Sequence, residues 1–355
     1  MFGGVEIKVG YNPINERNTF TCGDRLSGEV ELASATKCTV QSLIVKLKGK
    51  GVVGWYNGDD TALAGEEYFS IKQEIIHESK GNNVIDQGCH VYPFTFQIPA
   101  DRDLPPSFRG SYGKIKYSVE AVLSRSMRMD SKAKTEFTLI QNGNLNSDPI
   151  MMAPQQQAIE KKGMVFTSGS VGMHVNIART GFYQGEDIQV VASIQNRSSR
   201  EVKPKFCLYR ECRYFAGDDF NFERKSILKE VGDPIPPSAS QTVTRTITIP
   251  PDTSVSILNS YVLKVEYKLQ VSLDVKYAID PKLMFPITIL PALPESDEEQ
   301  RPAYPAYGFL AFANSDMPGE NSFLHVLRST GRSTPPPPYG TYDMYPSLAN
   351  FDGKS

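Results

Sequence analysis

The chain has 355 residues, enough for two domains and a tail, and 40% of them are hydrophobic, enough to fill two cores. Its formal net charge of −2 speaks against a nucleic-acid binder or a strongly basic membrane protein. Five scattered cysteines, an odd number, fit reduced thiols better than a disulfide framework. The first ten residues carry Glu6 and Lys8 where a secretory signal needs an apolar core, and Phe2 breaks the myristoylation pattern. No run approaches the roughly 18 apolar residues of a membrane span. A cytoplasmic protein is expected.

Alternation of apolar and polar residues dominates the first 292 positions. Val5, Ile7, Val9 and Tyr11 open it. Ile115, Tyr117, Val119, Ala121 and Leu123 repeat it, and the longest case runs at every second residue from Tyr261 to Val275. A period of two sustained that long puts one face on a core and the other in water, as in an antiparallel sheet. Turn signals lie between these runs: Asn57 to Asp60, Lys80 to Asn83, Pro105-Pro106, Asp233 to Pro237 and Pro250 to Asp252. Gly49-Lys50-Gly51 also looks turn-like. The expected class is all-β, built from β-sandwiches.

The order of signals recurs. Gly23-Asp24 leads into a strand near the start, and Gly185-Glu186 does so again. Phe94 to Pro99 reads FTFQIP, and Thr246 to Pro251 reads TITIPP. Each precedes one of the long alternating runs. Two copies of one sandwich are expected, spanning 1–148 and 149–292, with the join in the polar, weakly periodic stretch Gln141 to Lys162. From 293 to 355 the alternation stops, nine prolines appear and an acidic run, Glu295 to Glu299, opens the segment. A tail of this composition cannot repay its ordering entropy, so it is expected to be disordered.

Candidate chemistry is sparse. His77 and His90, with Cys89 adjacent to the latter, match no standard zinc spacing. Cys207 and Cys212 fall on opposite faces of one strand and make poor co-ligands. Asp59-Asp60 and Asp218-Asp219 sit beside glycine as turn residues. No phosphate loop, dinucleotide fingerprint or nucleophile elbow is present. The pattern points to an interaction protein, not an enzyme, with no metal or cofactor.

The tail carries two linear motifs. Pro336-Pro337-Pro338-Tyr339 is a PPxY sequence. Its prolines pre-set the polyproline II conformation and suit the aromatic groove of a WW domain, while the tyrosine adds a large ring with a polar tip. Phosphate on Tyr339 would bring bulk and charge into that groove and weaken binding. Tyr345-Pro346-Ser347-Leu348 resembles a late-domain motif and equally a tyrosine-based sorting signal, anchored by Tyr345, Pro346 and Leu348; it also reads as an ordinary tail fragment. In the body, Lys46, Lys48 and Lys50 alternate with Val45 and Leu47 and form a cationic row on one strand face, with Lys114 and Lys116 doing likewise. Such a row could attract phosphorylated cargo tails or anionic lipid, or be a solvated face whose lysines block aggregation.

These pieces resemble the alpha-arrestins, the arrestin-domain-containing proteins of vertebrates. GDRLSGEVEL at 23–32, LIVKLKGKGVVGW at 43–55, YPFTFQIP at 92–99, LPPSFRGSYGKIKYSVEAVL at 104–123, ARTGFYQGEDIQV at 178–190 and IQNRSSREV at 194–202 carry the resemblance. It implies two arrestin-type β-sandwiches in tandem. It also implies an adaptor that joins membrane receptors or transporters to WW-domain HECT-type ubiquitin ligases, is recruited to the plasma membrane and endosomes, and passes cargo to endosomal sorting machinery. Carried onto this sequence, the ligase-binding residues are Pro336, Pro337 and Tyr339. Family members often hold two PPxY motifs, whereas one complete copy stands here, so the avidity of bivalent engagement is not implied. A clathrin-box motif is absent from the sequence. The alternative is a retromer-like sorting scaffold of arrestin fold that acts without ligase recruitment, with only peripheral membrane association in either case.

Overall fold

A computed structural model describes residues 5–58, 60–81, 83–162, 169–276 and 279–292. In chain order its strands begin with β1 (Val5–Tyr11), β2 (Thr19–Phe20), β3 (Arg25–Ser34), β4 (Cys38–Thr39), β5 (Ser42–Asn57), β6 (Asp60–His77), β7 (Val84–Ile85), β8 (Gly88–Gln97), β9 (Phe108–Arg109), β10 (Gly113–Ser124) and β11 (Ser131–Leu139). A short α-helix, α1 (Pro149–Met152), follows. Then come β12 (Gln155–Lys162), β13 (Ser170–Ile177), β14 (Gly181–Tyr183), β15 (Asp187–Asn196), β16 (Val202–Ala216), β17 (Asp219–Val231), β18 (Ala239–Thr248), β19 (Leu263–Val275) and β20 (Lys282–Leu290).

The first sandwich stacks sheet β1-β3-β8 on sheet β2-β11-β10-β5-β6. The second stacks β12-β13-β15-β18 on β14-β20-β19-β16-β17. Pairing is antiparallel except at β2/β11 and β14/β20, which are parallel and hold equivalent places in the two copies. The alternating residues read from the sequence line the cores: Tyr117, Val119, Ala121 and Leu123 are fully buried, as are Leu269, Val271 and Leu273.

The duplication extends to individual hydrogen bonds. Gly23 and Gly185 take positive φ, 86° and 77°, in the turn before β3 and β15. The following carboxylate accepts from an amide three residues back, Thr21 N to Asp24 Oδ2 at 2.7 Å and Tyr183 N to Glu186 Oε2 at 2.8 Å. Ile98 N donates to Asp24 O, and Ile249 N to Glu186 O, both at 2.9 Å. Ser107 Oγ accepts from Leu139 N at 3.0 Å, and Ser256 Oγ from Ile289 N at 2.9 Å. The buried tyrosines match as well: Tyr117 Oη donates to Pro105 O at 2.6 Å and Tyr267 Oη to Ser254 O at 2.5 Å. Burial pushes both hydroxyls far above the ordinary phenol range, so they stay protonated donors.

Three expectations need correction. Gly49-Lys50-Gly51 is no turn; it lies inside β5. Glycine is required at 49 because a Cβ there would meet the Tyr117 ring at 2.5 Å and Phe69 at 2.9 Å. Gln155 to Lys162, read as part of an unpatterned join, forms β12 along β13. Its inward face is mostly polar: Ile159 packs against the core, but Gln155 and Gln157 each donate from Nε2 to a β20 carbonyl, Pro286 O and Met284 O, at 2.8 Å. A hydrophobic period of two is therefore missing from a real strand. Tyr261, read as the start of the longest run, precedes β19 and is 87% exposed.

The two sandwiches meet through that same segment. Glu66 Oε2 accepts from Ser260 Oγ and Tyr261 N, both at 2.9 Å. Ser260 Oγ in turn lies 3.0 Å from Tyr68 Oη and is the acceptor there, because its own hydrogen goes to Glu66. Asn259 Nδ2 donates to Asp103 O at 3.0 Å. Gly113 packs beneath Tyr214, and the Tyr112 and Tyr214 rings meet edge to face with centroids 5.5 Å apart.

Candidate interaction surfaces

Lys46, Lys48 and Lys50 project from one face of β5, opposite the buried Val45 and Leu47. The register shows what flanks them. Lys46 pairs with Glu120 of β10 on one side and Lys72 of β6 on the other, and Glu120 pairs in turn with Lys134 of β11. One row thus crosses four strands as Lys134, Glu120, Lys46 and Lys72. Lys50 pairs with Lys116 and with Glu67, and Lys114 pairs with Arg109. Lys132 and Glu74 complete the end of the face next to Val122 and Ile44. Directly paired residues share a side of a sheet. The outer face therefore holds eight lysines and Arg109 against four carboxylates, Glu67, Glu74, Glu120 and Glu136.

Two of those carboxylates are committed. Lys48 Nζ donates to Glu120 Oε2 at 2.8 Å, and this bond holds the Glu120 carboxyl below the ordinary glutamate range, aided by the nearby Lys46 and Lys132 charges. Lys116 Nζ donates to Glu136 Oε1, and Arg109 reaches Glu136 Oε2 at 2.9 Å. The Lys116 bond is the main reason that Glu136 also titrates low. The remaining cations leave a net positive field over the sheet. An anion, either a phosphate or a lipid headgroup, is the chemistry that such a face can hold.

The sequence reading found Lys46, Lys48, Lys50, Lys114 and Lys116 but missed Lys72, Lys132, Lys134 and Arg109. Their assembly depends on strand register, which bulges shift between Leu43 and Ile44 and between Gly49 and Lys50. The spacing Lys132-Ala-Lys134-Thr-Glu136 was the available signal.

The other candidates resolve as local structure. His77 Nδ1 lies 2.6 Å from Ser79 Oγ, and His90 Nε2 lies 2.9 Å from Asp86 O. Cys212 sits in the core while Cys207 faces the other way, 3.1 Å from Ser226 Oγ. Asp218 and Asp219 lie at the β16–β17 hairpin. Among the described residues no group of three or more His, Cys, Asp or Glu could hold a metal, and no helix is long and apolar enough to cross a membrane. The motif residues Pro336, Pro337 and Tyr339, and Tyr345, Pro346 and Leu348, lie outside the described residues.

Comparison with known proteins converges with this geometry. Residues 7–146 match the family Arrestin (or S-antigen), N-terminal domain, and residues 167–293 match Arrestin (or S-antigen), C-terminal domain. The chain belongs to the arrestin family. Within it, this arrestin is 28% identical to mouse arrestin domain-containing protein 4, over 96% of this chain and 85% of that protein. It is 29% identical to the human protein of the same name, over 77% of this chain and 68% of the relative. Mouse thioredoxin-interacting protein is 27% identical over 75% of this chain and 69% of its own length. The two duplicated sandwiches are thus the N- and C-terminal arrestin domains, and the chain stands among arrestin-family adaptors.

Proposed function

We propose that this arrestin links membrane receptors or transporters to WW-domain HECT-type ubiquitin ligases, so that the cargo is ubiquitylated, internalised and sorted at endosomes. The observation that carries the reading is the PPxY sequence Pro336-Pro337-Pro338-Tyr339 placed after two arrestin domains. The prolines enter a WW groove already in polyproline II form, so less ordering entropy is lost on binding. The arrestin domains supply a broad β-surface for cargo, and the β5–β10 face supplies its positive charge. Tyr345, Pro346 and Leu348 offer a second anchor for endosomal sorting machinery. The protein works from the cytoplasm and meets the membrane peripherally, with the division between its arrestin domains at 148/149 and a tail from 293.

Co-purification from cells tests the reading. Tyr339→Ala abolishes recovery of the ligase while the β-domains keep their melting temperature. Unchanged recovery would overturn recruitment through this motif and favour a sorting scaffold that acts without a ligase.

A further inference from the structure

Among the described residues, the β10–β11 connection is one of the two places on the first sandwich where large apolar side chains stand most fully in water; the other is the β5–β6 hairpin, with Tyr56 and Leu63. Met127 is fully exposed, at 102%, and Met129 is 89% exposed. Two large apolar side chains thus stand in water side by side with Arg125 and Arg128. The loop is built rather than slack. Ser124 Oγ donates to Asp130 Oδ1 at 2.8 Å, Arg125 donates to Ser131 Oγ at 3.1 Å, and Arg128 N donates to Arg125 O at 3.3 Å. Met127 takes φ 54°, a left-handed conformation that side chains of its kind rarely adopt. The turn holds the methionine outward at a conformational cost.

The surroundings say what the tip meets. β10 is 12 residues long, or roughly 36 Å, and its start lies against Tyr214 of the second sandwich. The loop is therefore at the end of the first sandwich remote from the second. Lys132 and Lys134 lead directly away from it, and Lys134 continues into the row with Lys46 and Lys72. An apolar tip set on a cationic sheet matches the layered chemistry of an anionic bilayer: acyl chain outermost to the protein, phosphate and carboxylate headgroups beneath. A phosphopeptide would use the lysines but would leave the two methionines unexplained.

We propose that the β10–β11 loop inserts Met127 and Met129 into anionic membranes, with Arg128, Lys132 and Lys134 on the headgroups. This deepens the adaptor reading by supplying its membrane contact, yet it uses no tail residue.

The test uses the full chain with vesicles of phosphatidylcholine, alone or mixed with phosphatidylserine, and no ligase or cargo, so that failure here leaves ligase recruitment untouched. The chain co-sediments with the mixed vesicles and not with neutral ones. The double variant Met127→Asn, Met129→Ser keeps its melting temperature, because asparagine tolerates the left-handed turn, and its partition falls by about tenfold or more. Lys132→Glu with Lys134→Glu weakens binding further in low salt than in high salt. A fluorophore on Met127→Cys shifts to the blue on mixed vesicles. The proposal is overturned if the methionine variant partitions like wild type, if neutral vesicles bind equally, or if a soluble phosphopeptide binds the face while the chain ignores vesicles.

Discussion

The two arrestin domains share a hydrogen-bond skeleton and differ in what they bury on it. In the first, Asp24 closes its glycine turn by accepting from Thr21 N and Oγ1, in a half-buried setting. In the second, the equivalent Glu186 is buried and also pairs with Arg179, which is 4% exposed and lies 4.8 Å over the Phe182 ring. The sheet faces differ in the same sense. Cations of the second domain converge on one buried carboxylate, Glu211, with Lys268 at 2.7 Å and Arg224 at 3.2 Å. In the first, Lys116 and Arg109 also share one carboxylate, Glu136, but it is exposed, and the other cations run in open rows. Turn geometry and the buried tyrosines set the skeleton, while charged residues placed on it are free to serve structure in one copy and contact in the other.

The largest expected effect breaks the equivalence. Glu186→Gln leaves Arg179 buried without its counter-charge and costs about 3–5 kcal/mol. Asp24→Asn, at the matching position, costs about 1 kcal/mol. Denaturant melts of the two variants measure the gap, and equal losses would mean that the Arg179–Glu186 pair adds nothing to the shared turn. A smaller effect sharpens the equivalence. Tyr117→Phe strips a buried carbonyl of its donor and Tyr267→Phe a half-buried one, so each costs about 1–2 kcal/mol, alike in both domains. Unequal losses would show that the tyrosines only look equivalent.

The smallest effect concerns pH. Glu120 and Glu136 titrate below the ordinary glutamate range when folded. Their contribution is present above that range and is lost as pH falls through their lowered folded values. Lys48→Met removes Glu120's share, so stability of this variant falls less steeply in acid than that of wild type. Both pairs are partly solvated, and the difference stays under about 1 kcal/mol.

Much of this was legible from residue order. Strands β1 and β10 follow from alternation, and the two copies follow from Gly23-Asp24 and Gly185-Glu186. What failed did so for identifiable reasons. Gly49 looked like a turn residue because its role, making room for the Tyr117 and Phe69 rings, is set by residues far along the chain. β12 gave no hydrophobic signal because glutamine amides do the bonding that apolar side chains do elsewhere. Glu66, which joins the two domains through Ser260 and Tyr261, lies 194 residues from the first of them, beyond any local pattern. The cationic rows needed a register that bulges alter, so single lysines were visible and the face was not.

Ligase recruitment remains the central claim, and a calorimetric titration of a WW domain into the full chain tests it most directly. With one complete PPxY motif, wild type should take up one WW domain per chain and Tyr339→Ala none, with both chains melting at the same temperature. Equal heats from the two chains would contradict the account.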